Sequence, residues 1–152
     1  MPRAGFTAIS SGKIKFGRDG RWYCDDEPIP NAAICRLYSR ALRVLPDGRA
    51  RLELGEDKAD VIVEDTPWVV TSVEGDPVAG FTLVLNDGSR EALDTAGLVV
   101  GGEHVLYARV KRDHRARFLR PAYYTLMRHL ESGPGGEPVL LVGGRRVAIP
   151  RS

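Results

Sequence analysis

Apolar and polar residues first alternate in KIKFGRDGRWYCDD, residues 13–26. Ile14 and Phe16 share one parity, Asp19-Gly20 is a turn dipeptide, and Trp22 and Cys24 continue the same face, which predicts a β-hairpin. EPIPN at 27–31 breaks the sheet, because Pro28 and Pro30 hold the residues before them extended. Asn31 is placed to cap a helix. The spacing of Ile34, Leu37, Tyr38, Ala41 and Leu45 then predicts one over residues 32–44, with Arg36, Arg40 and Arg43 on the opposite side. Pro46-Asp47-Gly48 ends it. RARLEL at 49–54 returns to period two, with Ala50, Leu52 and Leu54 inward. GEDKAD at 55–60 is a charged turn. VIVEDTPWVVTSV at 61–73 is the next strand, with Pro67 inside it, and EGDPVAG at 74–80 is a second break.

The second half has the same grain. Phe81, Leu83 and Leu85 alternate before Asn86-Asp87-Gly88, a strong hairpin turn. Residues 94–104, DTAGLVVGGEH, are loop-like with a short apolar run. HVLYARVKRDHRARFL at 104–119 predicts a third hairpin, turning near Arg112 to His114. RPAYYTLMRHLES at 120–132 predicts a helix with Pro121 at its first position, where a missing N–H does no harm. Tyr123, Leu126, Met127 and Leu130 are its apolar stripe. A Gly143-Gly144 turn closes the chain in a short hairpin.

The order hairpin, helix, strand thus occurs twice. Setting Leu37 on Leu126 also sets Ala33 on Ala122. The fold class expected is α+β: two similar hairpin-helix-strand units packed together, mostly antiparallel sheet. Residues 1–12 are a loose lead-in, 13–75 a first unit and 76–152 a second.

A chain of 152 residues is long enough to bury a core without staples. Its apolar runs are too short to span a bilayer, which takes about 20 residues, and the first residues lack a segment of signal-peptide length. A soluble, cytoplasmic, bacterial protein is expected. Net charge is +2 but unevenly spread: residues 1–52 hold ten Lys/Arg and five Asp/Glu, 53–100 two and eleven, 101–152 ten and four. An acidic middle between basic ends argues against one nucleic-acid stripe. Cys24 and Cys35 lack zinc spacing and are expected as reduced, partly buried thiols.

No nucleophile elbow, phosphate loop or paired-histidine zinc motif is present. His104, His114 and His129 are not spaced for a metal, and no metal or cofactor is expected. Glu64 and Asp65 are neighbours in a strand and point to opposite faces, so they cannot act as a carboxylate pair. A strand corner fixed by Asp65 and packed by Trp68 is favoured over a binding role for the two, though Trp68 can be both core and pocket wall. The basic hairpin offers more. Arg109 and Lys111 share one parity and Arg115 and Arg117 another. With Arg120, Tyr123 and Tyr124 at a helix start they form a patch suited to an anion. A solvated sheet face explains the same charges without a ligand.

The order of several motifs resembles the bacterial domain-of-unknown-function family 1285. The matching residues are 12–14, 19–22, Ile29-Pro30, 63–69 and 112–124, and the likeness runs over about residues 10–150. It implies an α+β fold with a repeated motif, no established activity, and a suggested role in ligand sensing or signalling. Asp113-His114 and Asn31 depart from the family's pattern, so no basic ligand contact is expected at Asn31. Together the residues favour a non-catalytic ligand-binding or signalling module. Its expected ligand-binding set is Trp68, Asp65, Arg109, Arg117, Arg120, Tyr123 and Tyr124, its partner a small anionic ligand or an acidic protein segment, and nucleic acid and membrane are not expected. The alternative is a hydrolase or transferase with an unrecognised site.

Overall fold

The structure, a computed structural model, describes residues 12–152; the lead-in expected at 1–12 lies, up to residue 11, outside the described residues. Two compact units divide between Pro67 and Trp68, inside the 61–73 stretch.

In the first unit β1 (Ile14–Phe16) and β2 (Trp22–Cys24) form the expected hairpin, pairing Phe16 with Trp22. The expected break at 27–31 instead begins with a two-residue edge strand, β3 (Glu27–Pro28), on β2. An edge tolerates Pro28, which has no N–H to give. Asn31 Oδ1 accepts from Ile34 N at 3.0 Å and caps α1 (Ala32–Ala41). The helix stops three residues before the periodicity predicts. Leu42 turns extended and opens β4 (Leu42–Val44), where it pairs with Leu52 of β5 (Ala50–Leu54) and is buried. The sheet thus satisfies the backbone that the helix would have used. Only Gly55 and Glu56 form the next turn; the rest of the expected charged loop belongs to β6 (Asp57–Val63). Its charges sit well in a strand because Arg51 faces Asp60 and Glu53 faces Lys58 across the ladder.

The buried face of α1 also differs from the predicted stripe. Tyr38 and Ala41 are buried, but Ile34 and Leu37 are 38% and 40% exposed. Ser39 is buried in their stead and accepts a hydrogen bond from Trp22 Nε1 at 3.0 Å. A fully buried indole needs an acceptor, and Ser39 supplies it on the face that also buries Tyr38 and Ala41. At the corner after β6, Glu64 N donates to Phe16 O, and Glu64 Oε1 accepts from Arg18 N at 2.8 Å. Glu64 thus ties the backbone at this corner, beside Asp65, which is exposed. Pro67 ends the irregular stretch.

In the second unit β7 (Trp68–Asp76) and β8 (Gly80–Leu85) form a hairpin, and β9 (Arg90–Ala92) follows. The second break shrinks to a turn at 77–79, where Asp76 Oδ1 accepts from the N–H groups of Val78 and Ala79. A 3-10 turn at Thr95–Gly97 leads to β10 (Val99–Val100), then to β11 (Leu106–Val110) and β12 (His114–Phe118) as expected. α2 (Arg120–Met127) packs on β7 through Ala122 and Leu126. It is shorter than predicted: Leu130 already starts β13 (Leu130–Ser132), and Met127 is at the surface. β14 (Pro138–Val142) and β15 (Arg145–Ala148) turn through Gly143 and Gly144, both at positive φ, and complete a three-stranded sheet with β13.

The two larger sheets have one connectivity. Their orders are β3-β2-β1-β6-β5-β4 and β10-β11-β12-β7-β8-β9. Each is a three-strand meander, a connection, and a second meander whose last strand pairs in parallel with the first strand of the first. All other pairs are antiparallel among the described strands. The fold is α+β with two similar units. The helices, however, are not equivalent: α1 links the meanders of the first sheet, whereas α2 follows the completed second sheet. Leu37 and Leu126 are therefore not counterparts, and the element that answers to α1 is the 3-10 turn at Thr95–Gly97. Among the described residues no helix is long and apolar enough to cross a membrane.

Candidate functional site

The second unit brings its basic strand, the start of α2 and its chain end to one cleft. Tyr107 pairs with Arg117 and Arg109 with Arg115, while Ala108 and Ala116 take the buried face. β12 runs into α2 across Leu119, whose N–H donates to Val70 O at 3.0 Å and whose carbonyl accepts from Tyr123 N at 2.9 Å. Arg120 and Tyr124 are thereby left exposed on the first turns, and Tyr123 is half-buried. On the other side, the loop before β11 is closed by Gly101 N donating to Val105 O at 2.7 Å. Within it Glu103 and His104 are both left-handed, with φ of 59° and 61°. Two adjacent non-glycine residues in that region are costly, as they are at Asp25-Asp26 and Lys111-Arg112. The chain end pairs beside β10, with Val100 N donating to Pro150 O and Ser152 N to Val100 O.

The cleft has two lobes. One, of about 360 Å³, is lined by Glu103, His104, Arg117, Arg120, Tyr123 and Tyr124 among others. The other, of about 300 Å³, is lined by Val100, Met127, Leu130, Glu131, Ile149 and Arg151 among others. His104, Leu106 and Tyr123 line both. Tyr123 and Tyr124 stand edge to face at 5.6 Å. Glu131 accepts from Arg146 Nη1 at 2.6 Å. The arrangement can hold a small ligand by charge on one side and by apolar contact on the other.

Arg117, Arg120, Tyr123 and Tyr124 thus come together. Arg109, Trp68 and Asp65 line neither lobe. Arg109 Nη2 donates to Asp94 Oδ2 at 2.6 Å; that bond holds the Asp94 carboxyl below the usual carboxylate range and raises Arg109. Trp68 is buried, tilted against His114 at 5.1 Å, with Lys111 Nζ 5.7 Å above its ring. Lys111 Nζ donates to Asp87 Oδ2 at 2.8 Å and to Ser89 Oγ at 3.0 Å. This is a structural staple of three strands and turns. Asp65 lies in the first unit. Cys24 and Cys35 form no disulfide and are half-buried; burial pushes the Cys35 thiol up, and its Sγ donates to Ile29 O at 3.4 Å. Among the described residues no group of three or more His, Cys, Asp or Glu side chains could hold a metal ion.

Sequence reasoning did not single out Glu103, His104, Leu106, Met127, Leu130 or Ile149 as a wall of one site. The left-handed pair was open to notice, since GGEH places two chemically active residues after two glycines. Nothing local marks Leu130 or Ile149.

No family model matches the chain, and no curated protein matches it. Two solved structures share its fold. A DUF1285 family protein from Silicibacter pomeroyi DSS-3 is 22% identical, with a TM-score of 0.69 over 98% of this chain and 86% of that one. A DUF1285 family protein from Shewanella baltica OS155 is 20% identical, with a TM-score of 0.58 over 76% of this chain and 90% of that one. The fold is therefore DUF1285-like, as the motif order implies; both neighbours are named by that family alone.

Proposed function

We propose that this chain is a ligand-binding module of regulatory or signalling type, working without catalysis in the bacterial cytoplasm, and that the cleft of its second unit receives a small ligand with an anionic group. The observation that supports this is the convergence of Arg117, Arg120, Tyr123 and Tyr124 on one cleft, faced by the strained Glu103-His104 pair. Guanidinium groups recognise carboxylate and phosphate through paired, charge-assisted hydrogen bonds, and the tyrosines add rigid apolar area with a polar edge. The carboxylates held below their usual range, Asp19, Asp47, Glu74, Asp87 and Asp94, are turn and ion-pair groups and line neither lobe.

A thermal-shift screen of organic acids, phosphates and nucleotides tests this reading. A true ligand at a hundredfold excess over its Kd raises Tm by on the order of 5–10 °C for a chain of this size. Replacing Arg117 and Arg120 together by Gln removes the shift. A panel without any stabiliser, or shifts indifferent to both arginines, defeats it. Turnover of a stabilising compound would move the assignment to the hydrolase or transferase class.

A further inference from the structure

We infer that the outer face of α1 is a docking surface for an acidic, amphipathic segment of a partner protein. This surface lies in the first unit and is independent of the cleft. The first ground is what the helix shows to solvent. Its exposed side chains are Ala32, Ala33, Ile34, Arg36, Leu37 and Arg40. A solvated helix face is ordinarily polar; here four of these six side chains are apolar and the other two are guanidinium groups. Ile34 and Leu37, 38% and 40% exposed, are neighbours one turn apart and form one strip with Ala33. The core takes Tyr38, Ser39 and Ala41 instead.

The second ground is charge. From Pro28 to Pro46 the chain has three arginines, Arg36, Arg40 and Arg43, and no Asp or Glu. Arg36 forms no ion pair among the described residues. Arg43 turns its Nη1 to the carbonyls of Arg40 and Leu42, at 2.8 and 2.9 Å. The first turn of α1 holds no acidic residue, so no side chain there offsets the positive end of the helix dipole. Carboxylates on a partner answer both features, and apolar side chains among them at helical spacing answer the strip.

The third ground is that other occupants match the face less well. Residues 1–11 have one arginine and no carboxylate. A second copy meeting this face across a two-fold axis would set arginine against arginine. A nucleic acid would use the arginines and leave Ile34 and Leu37 unmatched. A bilayer surface takes a face that sinks into it, whereas α1 keeps one side in the core over its own sheet. The helix has ten residues, a length of about 15 Å, so the partner segment needs about three turns and the contact is small and weak.

Fluorescence anisotropy on the full chain with three labelled peptides of about 15 residues tests the assignment. The first has leucine at helical spacing with glutamate elsewhere, the second lysine for each glutamate, the third serine for each leucine. The first should bind with a Kd on the order of 100 μM, and the other two at least about tenfold more weakly. Arg36→Glu and Leu37→Ser both change exposed positions, and circular dichroism checks that each variant is folded. Each should weaken the first peptide by at least about fivefold. Arg36→Glu should also narrow the gap between the glutamate and lysine peptides, which a merely loosened helix would not do. Arg120→Gln should change nothing; a loss of binding there would send the acidic peptide to the cleft and overturn the inference. Equal binding of the serine peptide, or equal binding by both α1 variants, means unspecific adhesion and also overturns it, as does failure of the first peptide to bind at millimolar concentration. Sedimentation equilibrium showing a dimer that Leu37→Ser abolishes would assign the face to a second copy instead. Phosphatidylglycerol vesicles that hold the parent and release Leu37→Ser would assign it to a membrane, and either result sinks the inference.

Discussion

Trp22 shows how a buried polar atom is satisfied inside a core. It is among the largest fully buried side chains, packed 4.9 Å from the Phe16 ring and 5.4 Å from Tyr38. Its indole N–H has left water, and Ser39 Oγ receives it. Ser39→Ala keeps the shape and removes the acceptor, so the cost is that of a buried unsatisfied donor, about 1–3 kcal/mol. Urea unfolding would show it, and a loss below about 0.5 kcal/mol would mean the indole finds another partner. Asp87 makes a comparable case with charge. Burial presses it toward the neutral form, but donation from Lys111 Nζ and from Ser89 outweighs that and holds its pKa below the usual value. A depressed folded-state pKa means stability that is fully present above the unfolded-state value near 3.9 and is lost as pH falls through the folded-state value. Asp87→Asn should therefore cost about 1–3 kcal/mol at pH 7, with the gap to the parent protein closing only below about pH 4. A gap that stays constant from pH 7 to pH 3 would sink this assignment.

Turns and helix ends carry the next scale. β11 and β12 are joined through Lys111 and Arg112, both left-handed at φ 49° and 73°. Lys111 is held there: its N–H donates to Glu91 and its Nζ to Asp87. Arg112 is exposed and bears the same strain without a packing role. Arg112→Gly should raise stability by up to about 1 kcal/mol, read as a higher urea midpoint with unchanged slope; a fall would show that the arginine side chain contributes more than its backbone costs. The elements that were legible in the sequence are those whose signal is local. Asp19-Gly20, Asp87-Gly88 and Gly143-Gly144 mark their turns by residue type, and Asn31 fixes the start of α1. The end of α1 was not legible, because Leu42 is chosen by its partner Leu52 on a strand the helix pattern does not contain. The periodicity also does not encode the bond between Trp22 and Ser39 on the buried face of α1, from which Ile34 and Leu37 are turned away. The charged half of the candidate site was likewise legible, since Arg117, Arg120, Tyr123 and Tyr124 are close neighbours in sequence. The apolar half, drawn from residues 100 to 149, was not.

At the scale of the molecule, the repeat is one of connectivity. Ile14 pairs in parallel with Val61, and Trp68 with Ala116, so each six-stranded sheet closes only when its last strand returns to its first. Such non-local pairing adds little signal to any short window, and the two helices, which give the strongest windows, occupy unlike places in the two copies. The chain carries its own test of how far the copies fold as separate bodies. It has two tryptophans, Trp22 buried in the first unit and Trp68 buried in the second. Trp68→Phe leaves a fluorescence probe of the first unit, and Trp22→Phe leaves a probe of the second. Leu52 is fully buried in the first sheet, and Leu52→Ala removes about 2–5 kcal/mol from a core of this kind. If the two units hold separate cores, the urea midpoint seen by Trp22 falls by the whole of that amount, whereas the midpoint seen by Trp68 moves by much less. Equal shifts at both probes would instead make the pair of sheets one cooperative unit, and would place the coupling between them above the cost of the cavity.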